Sequence, residues 1–175
     1  MISFVIATIG RPSLKTTIRS IETRPGDEIV VVGNVEAGQH GNVRCIPMAP
    51  GGDYGHTERN NALPLCRGRY IAHIDDDDTY AIGTREFMQQ AIEQNPGRPT
   101  IFRMRFPNGI TLWRDPNIYC GNVGTPMFLM PNRPTMFGTW GSFVGGDCHF
   151  LETSKWKPED YAWRPEIICL LGHDV

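Results

Sequence analysis

Tyr70-Ile71-Ala72-His73-Ile74-Asp75-Asp76-Asp77-Asp78-Thr79-Tyr80, residues 70–80, is the stretch on which the fold turns. Its first five residues form an apolar run with the length and composition of a buried strand. Four adjacent carboxylates follow at once, and their mutual repulsion grows as they leave bulk water. A cation lying among them would let the cluster stay ionised at the end of a core strand. Ligands that are all oxygen favour magnesium, manganese or calcium over zinc or copper. In open α/β sheets, ligands bind beyond the carboxyl ends of the strands, where this run falls. The competing reading is a solvated acidic turn in which Asp78 or Thr79 starts the next helix.

Working outward, the first half alternates strand and helix. Ser3–Thr8 reads as a strand closed by Gly10-Arg11-Pro12, and Leu14, Ile18 and Ile21 follow at helical spacing. Glu28–Val32 and Val43–Ile46 read as strands two and three. Thr57–Cys66 reads as a helix with Ala62, Leu65 and Cys66 facing inward, weakened by Pro64. A further helix spans about 84–94, with Phe87, Met88, Ala91 and Ile92 on one face. This alternation predicts a three-layer α/β/α fold with a mostly parallel central sheet. After residue 96 the rhythm breaks into a small antiparallel excursion. Thr100–Phe106 and Ile110–Trp113 pair across Pro107-Asn108-Gly109, Pro126–Met130 forms another strand, and Asp147–Thr153 a short helix. No element is assigned after Lys155.

The chain of 175 residues is expected to form one domain, residues 1–95 as a nucleotide-binding half and 96–175 as an acceptor and catalytic-base half. Seventeen basic against 19 acidic residues give a net charge of -2, too weak a field for a nucleic-acid partner. The five cysteines are odd in number and include no C-x-x-C pair, which fits reduced thiols. The apolar stretch Ile2–Ile9 is too short to span a membrane and no cationic region precedes it. The expectation is a soluble cytoplasmic protein without a transmembrane segment.

Four segments share the tetrad's end of the sheet. Thr8-Ile9-Gly10-Arg11-Pro12 closes strand one, where backbone groups and an arginine can hold a nucleotide; a plain turn is the competing reading. Asn34, ending strand two, can read a base edge or simply occupy a turn. The loop from Gly51 leads into a helix with Thr57 as N-cap, and its Arg59 can neutralise a diphosphate. Gly145-Gly146-Asp147 places a carboxylate at a helix start, either as general base or as N-cap. Trp113 and Trp140 read as core rather than as sugar platforms, and Met127–Met130 as core.

Taken together, SFVIATIGRPSLKTTIRSI (3–21), HTERNNALPLCRGRYIAHIDDDDTY (56–80) and GGDCHF (145–150) resemble the family 2 glycosyltransferases, which have the GT-A fold. The resemblance implies a metal-dependent, inverting transfer of a sugar from a nucleoside-diphosphate sugar to an acceptor hydroxyl. It implies a D-x-D motif in which Asp77 binds a divalent metal, Mn2+ or Mg2+, and Asp75 contacts ribose or metal. Thr8, Arg11, Asn34 and Arg59, with Asp75 and Asp76, would line the nucleotide pocket, and Asp147 would deprotonate the acceptor. His173 is either a further metal or diphosphate contact or a plain terminal residue. Two departures stand out. Gly33-Asn34 replaces the acidic residue that usually reads uracil, and less chain than usual follows Asp147. The acceptor site is therefore expected to be minimal or completed by another subunit of a homo-oligomer. A sugar-phosphate nucleotidyltransferase and a non-catalytic nucleotide- or carbohydrate-binding module remain as alternatives. The contiguity of the aspartates, with no glycine at the required spacing, excludes an EF-hand.

Overall fold

The computed structural model describes residues 1–172. The chain runs β1 (Ile2–Thr8), α1 (Leu14–Ser20), β2 (Glu28–Gly33), β3 (Gly38–His40), β4 (Val43–Pro47), α2 (His56–Ala62), β5 (Tyr70–Asp75), β6 (Thr79–Tyr80), α3 (Thr84–Gln94), β7 (Thr100–Arg105), β8 (Thr111–Leu112), β9 (Phe128–Pro131), α4 (Gly146–Glu152) and β10 (Ala162–Leu170). One sheet joins the strands in the order β3-β4-β2-β1-β5-β9-β7-β10-β6, with β8 paired to β7. β4, β2, β1, β5, β7 and β10 run in one direction; β3, β6, β8 and β9 oppose it.

Burial explains the apolar runs. Every residue of β1 is buried, as are all but the first of β2 and all but the last of β5, which requires cover on both faces. The register aligns Ala7 with Asp75 and Thr8 with Gly33, so β1, β2 and β5 finish together at one edge. At the opposite end a buried ion pair closes the sheet. Asp27 accepts the Ile2 amide at 2.8 Å and Arg85 Nε, from α3, at 2.6 Å.

Several expectations need correction. Leu65 is exposed rather than inward, because α2 stops at Ala62 and Pro64 sits in a 3-10 turn over Leu63–Leu65. Thr57 is not the N-cap of α2; Gly55 is, and Asp53 accepts the Thr57 amide and hydroxyl. Asp147 is not an N-cap either, since Gly145 holds that position in α4. Residues Thr125–Met127 form a 3-10 turn ahead of β9 instead of belonging to it. The stretch left unassigned contains the nine-residue β10, parallel to β7. Trp140 and Met127–Met130 are core, as expected. Among the described residues no helix is long and apolar enough to cross a membrane.

Candidate functional site

The carboxyl ends of β1 and β5 open into a cleft of about 700 Å³. Thr8, Ile9 and Arg11 line it from β1 and its turn, Asp75, Asp76 and Asp77 from β5, and Gly52–Gly55, Glu58 and Arg59 from the start of α2. The tetrad is not a solvated turn. Asp76 is 3% exposed and Asp78 fully buried. Thr8 Oγ1 donates to Asp76 Oδ2 at 2.5 Å and accepts the Gly10 amide at 2.9 Å, which tethers the β1 turn to the acidic run. Asp78 faces away from the cleft lining, its Oδ1 accepting the Gly172 amide at 2.9 Å. Burial, with the charge of Asp75 added, pushes the Asp78 carboxyl up to about 8.

Two arginines hold the remaining carboxylates. Arg11 Nη1 spans Asp76 Oδ1 at 2.8 Å and Asp77 Oδ2 at 2.9 Å. Burial opposes its charge, but the Asp76 hydrogen bond and the charges of Asp77, Asp76 and Asp75 together raise its pKa. Arg59 is 2% exposed and pairs with Asp75 through Nη2, while its Nη1 donates to the Tyr54 carbonyl at 2.7 Å. Trp140 adds to these partners by lying under the buried guanidinium, with its ring centroid 5.1 Å from Cζ. Trp140 in turn stacks on Phe150 at 4.5 Å and on His56 at 5.7 Å. Asp75 and Asp77 stay partly accessible at the lip, with side chains 32% and 28% exposed.

Asp147 stands beside this cleft rather than among its lining residues, near enough to feel the charges of Asp75 and Arg59. Burial raises its pKa first, Asp75 adds to the rise, and the Cys148 amide, donating to Oδ1 at 2.9 Å, opposes it. The result is a stronger base than an ordinary aspartate. Close packing fixes its position. A Cβ on Gly146 would stand 2.4 Å from the Gly141 carbonyl and 2.5 Å from His56, so only glycine lets α4 approach α2 this closely. Asn60 clamps the two regions by donating to the Trp140 carbonyl at 3.0 Å and accepting its amide at 3.1 Å. Ser142 adds a bond to Asp53 at 3.0 Å.

Of the residues singled out from sequence, Thr8, Arg11, Arg59, Asp75, Asp76 and Asp77 thus share one cleft, with Asp147 adjoining. Asn34 is not among these lining residues; it lines a second cleft with Pro47 and Met48, while its Nδ2 donates at 3.1 Å to the carbonyl of Ile9, itself part of the first cleft's lining. His173 lies outside the described residues. Sequence reasoning missed the Trp140 floor and the Asn60 clamp, since both depend on contacts between distant segments. Among the described residues no group of three or more His, Cys, Asp or Glu converges as a ready metal cage.

No family model matches the sequence, and neither does any curated protein. Solved structures do match. The S. aureus TarS 1-349 structure superposes with a TM-score of 0.74 at 13% identity, covering 97% of this chain and 60% of that one. TarS 1-349 in complex with UDP gives 0.68 at 13% identity, covering 97% and 59%. Its complex with UDP-GlcNAc gives 0.68 at 12%, covering 97% and 57%. The fold is GT-A-like. At such identity the likeness is one of fold, and the chain spans less than two thirds of the length of the chains it matches. In a GT-A-like sheet of this kind, the cleft above β1 and β5 is the position the strand order assigns to a ligand.

Proposed function

We propose that this chain transfers a sugar from a nucleoside-diphosphate donor to an acceptor hydroxyl, with inversion at the anomeric carbon. One observation carries the reading. Arg11, Arg59 and the contiguous Asp75, Asp76 and Asp77, brought from three separate segments, meet in one cleft at the carboxyl edge of the sheet, with a carboxylate of raised pKa beside it. The matching TarS structures include complexes with UDP and UDP-GlcNAc, which supports a donor of this class.

Asp75 and Asp77 suit a hard divalent cation, Mn2+ or Mg2+. Both are partly accessible and supply only oxygen. Such ions are commonly held by one or two carboxylates and complete their shells with phosphate oxygens and water, so a full protein cage is not required. When bound, the ion would neutralise charge developing on the departing diphosphate. Arg11 would add positive charge on the same side, as its 45% exposed side chain permits. Asp76, tied to Thr8 and Arg11, orients that arginine rather than meeting the donor. Asp147 accepts the hydroxyl proton as the acceptor oxygen forms its bond to the anomeric carbon and the carbon–phosphate-oxygen bond breaks. A single displacement of this kind inverts the configuration.

Asp147→Asn tests the assignment. Turnover should fall by about 10²–10⁴, the contribution typical of a general base, while donor affinity measured by calorimetry stays within threefold. Loss of turnover and donor binding together would mark Asp147 as structural.

A further inference from the structure

The segment between β8 and the 3-10 turn at Thr125 lies beside the start of α4. Its Asn122 is fully buried and ties it together, accepting the Arg114 amide at 2.7 Å and donating to the carbonyls of Asp115 at 2.9 Å and Asn117 at 2.7 Å. Val123 pairs with Cys120 in an isolated bridge, which sets the turn at the segment's tip. Two places touch α4. A Cβ on Gly145 would stand 3.2 Å from Cys120 Sγ, and one on Gly124 would stand 3.7 Å from Asp147 Oδ2. The segment therefore runs along the first turn of α4 and reaches the candidate base.

Cys148 is three residues beyond Gly145, one helical turn away, and positions at that spacing are neighbours. Cys120 Sγ, resting against Gly145, thus lies beside the Cys148 thiol. Burial raises Cys148 far above an ordinary thiol, and its hydrogen bonds with Cys120 and Glu152 add to the rise. Cys148 is wholly buried and Cys120 exposed, both as free thiols. One thiol of the pair can meet a reagent from solvent, and the other is reached only through it.

We propose that Cys120 and Cys148 form a reversible disulfide that fastens this segment to α4 and slows turnover while sparing the donor cleft. The oxidant is a small-molecule disulfide of the glutathione type. The Cys120 thiolate attacks one of its sulfurs, forming a mixed disulfide and releasing one thiol. Cys148 then passes its proton to Glu152 as its sulfur attacks Cys120 Sγ and expels the second thiolate, which takes up that proton. The two protein sulfurs lose two electrons and two protons, and the small disulfide leaves as two thiols. The tie denies the segment any movement away from Asp147 as an acceptor enters. No residue lining the donor cleft belongs to this segment or to α4. The effect on turnover rests on the reading of Asp147 as general base; the disulfide itself does not.

The test incubates the folded full chain with glutathione disulfide, alkylates the remaining thiols after unfolding, and weighs the tryptic fragments. Both cysteines fall in the fragment 115–155, because Arg133 precedes a proline and is not cut. That fragment should lose two hydrogens, escape alkylation and carry no glutathione, and dithiothreitol should reverse all three changes. The oxidised chain should turn over about tenfold more slowly than the reduced one, with donor affinity by calorimetry unchanged. Cys120→Ser, at an exposed position, should fold normally, keep Cys148 open to alkylation after unfolding, and keep its turnover in glutathione disulfide. Glutathione left on Cys120, a disulfide to any other cysteine, or oxidation without slower turnover would each overturn the proposal. If the reduced chain transfers no sugar, the sugar-transfer reading falls by itself, and the fragment masses still decide whether the disulfide forms.

Discussion

His73 gives the sharpest test of the packing beneath the cleft. It lies in the middle of β5, fully buried, with its ring edge-on to Trp140 at 5.1 Å and to Phe150 at 6.4 Å. Neither ring nitrogen has a hydrogen-bond partner among the described residues. Burial, aided by the charge of Arg59, pulls its pKa from the ordinary 6.5 down to about 3. Between those values the unfolded chain carries a proton at His73 that the folded chain refuses. Its folded neutral form therefore imposes no penalty above pH 6.5, and stability falls as pH drops below that value. Each pH unit removes about 1.4 kcal/mol, or about 2.7 kcal/mol by pH 4.5. His73→Phe keeps a flat ring and abolishes the titration, while every other group titrates in both proteins. Urea denaturation at half-unit steps from pH 8 to 4.5 should give two curves that separate below pH 6.5, the wild type falling faster by that slope. Parallel curves would refute the reasoning and show that the ring is protonated or hydrated in the folded state.

Two further outcomes follow from the geometry. Arg85→Met leaves the buried Asp27 carboxylate with only the Met1 ammonium, 4.0 Å away, and should lower unfolding free energy by about 3–5 kcal/mol; adding Asp27→Leu should recover part of that loss. A loss below 1 kcal/mol in urea titration would show that the pair is hydrated. Gly146→Ala forces α4 away from Gly141 and His56, so steady-state kinetics should show kcat falling at least tenfold while donor affinity is retained. Equal losses in both would place the damage in the fold as a whole.

Much of this was legible in the sequence because it is local. Uninterrupted apolar runs announced β1, β2 and β5, and the aspartates marked where the last of them ends. β10 was not legible. Its sequence, Ala-Trp-Arg-Pro-Glu-Ile-Ile-Cys-Leu, carries an internal proline and a charged centre, and its pairing with β7 slips register between Trp163 and Ile167 and again before Cys169. Such a strand is specified by its neighbour more than by its own pattern. Leu65 was misjudged because the helical period was carried through Pro64. At the site, residue types were readable but environments were not. Nothing near Asp147 in sequence signals that burial raises its pKa, and nothing near Arg59 signals the Trp140 ring 81 positions later. The place of Asn34 at a strand end was readable, but its side-chain bond to the Ile9 carbonyl was not.

The most direct test of the account is an anomalous-diffraction map of this chain crystallised with Mn2+ and UDP. The account predicts a manganese peak within coordination distance of Asp77, between its carboxylate and the two phosphates, with the diphosphate beside Arg11. A nucleotide bound away from the β1 and β5 edge, or a manganese site that leaves Asp75 and Asp77 uncoordinated, would contradict it.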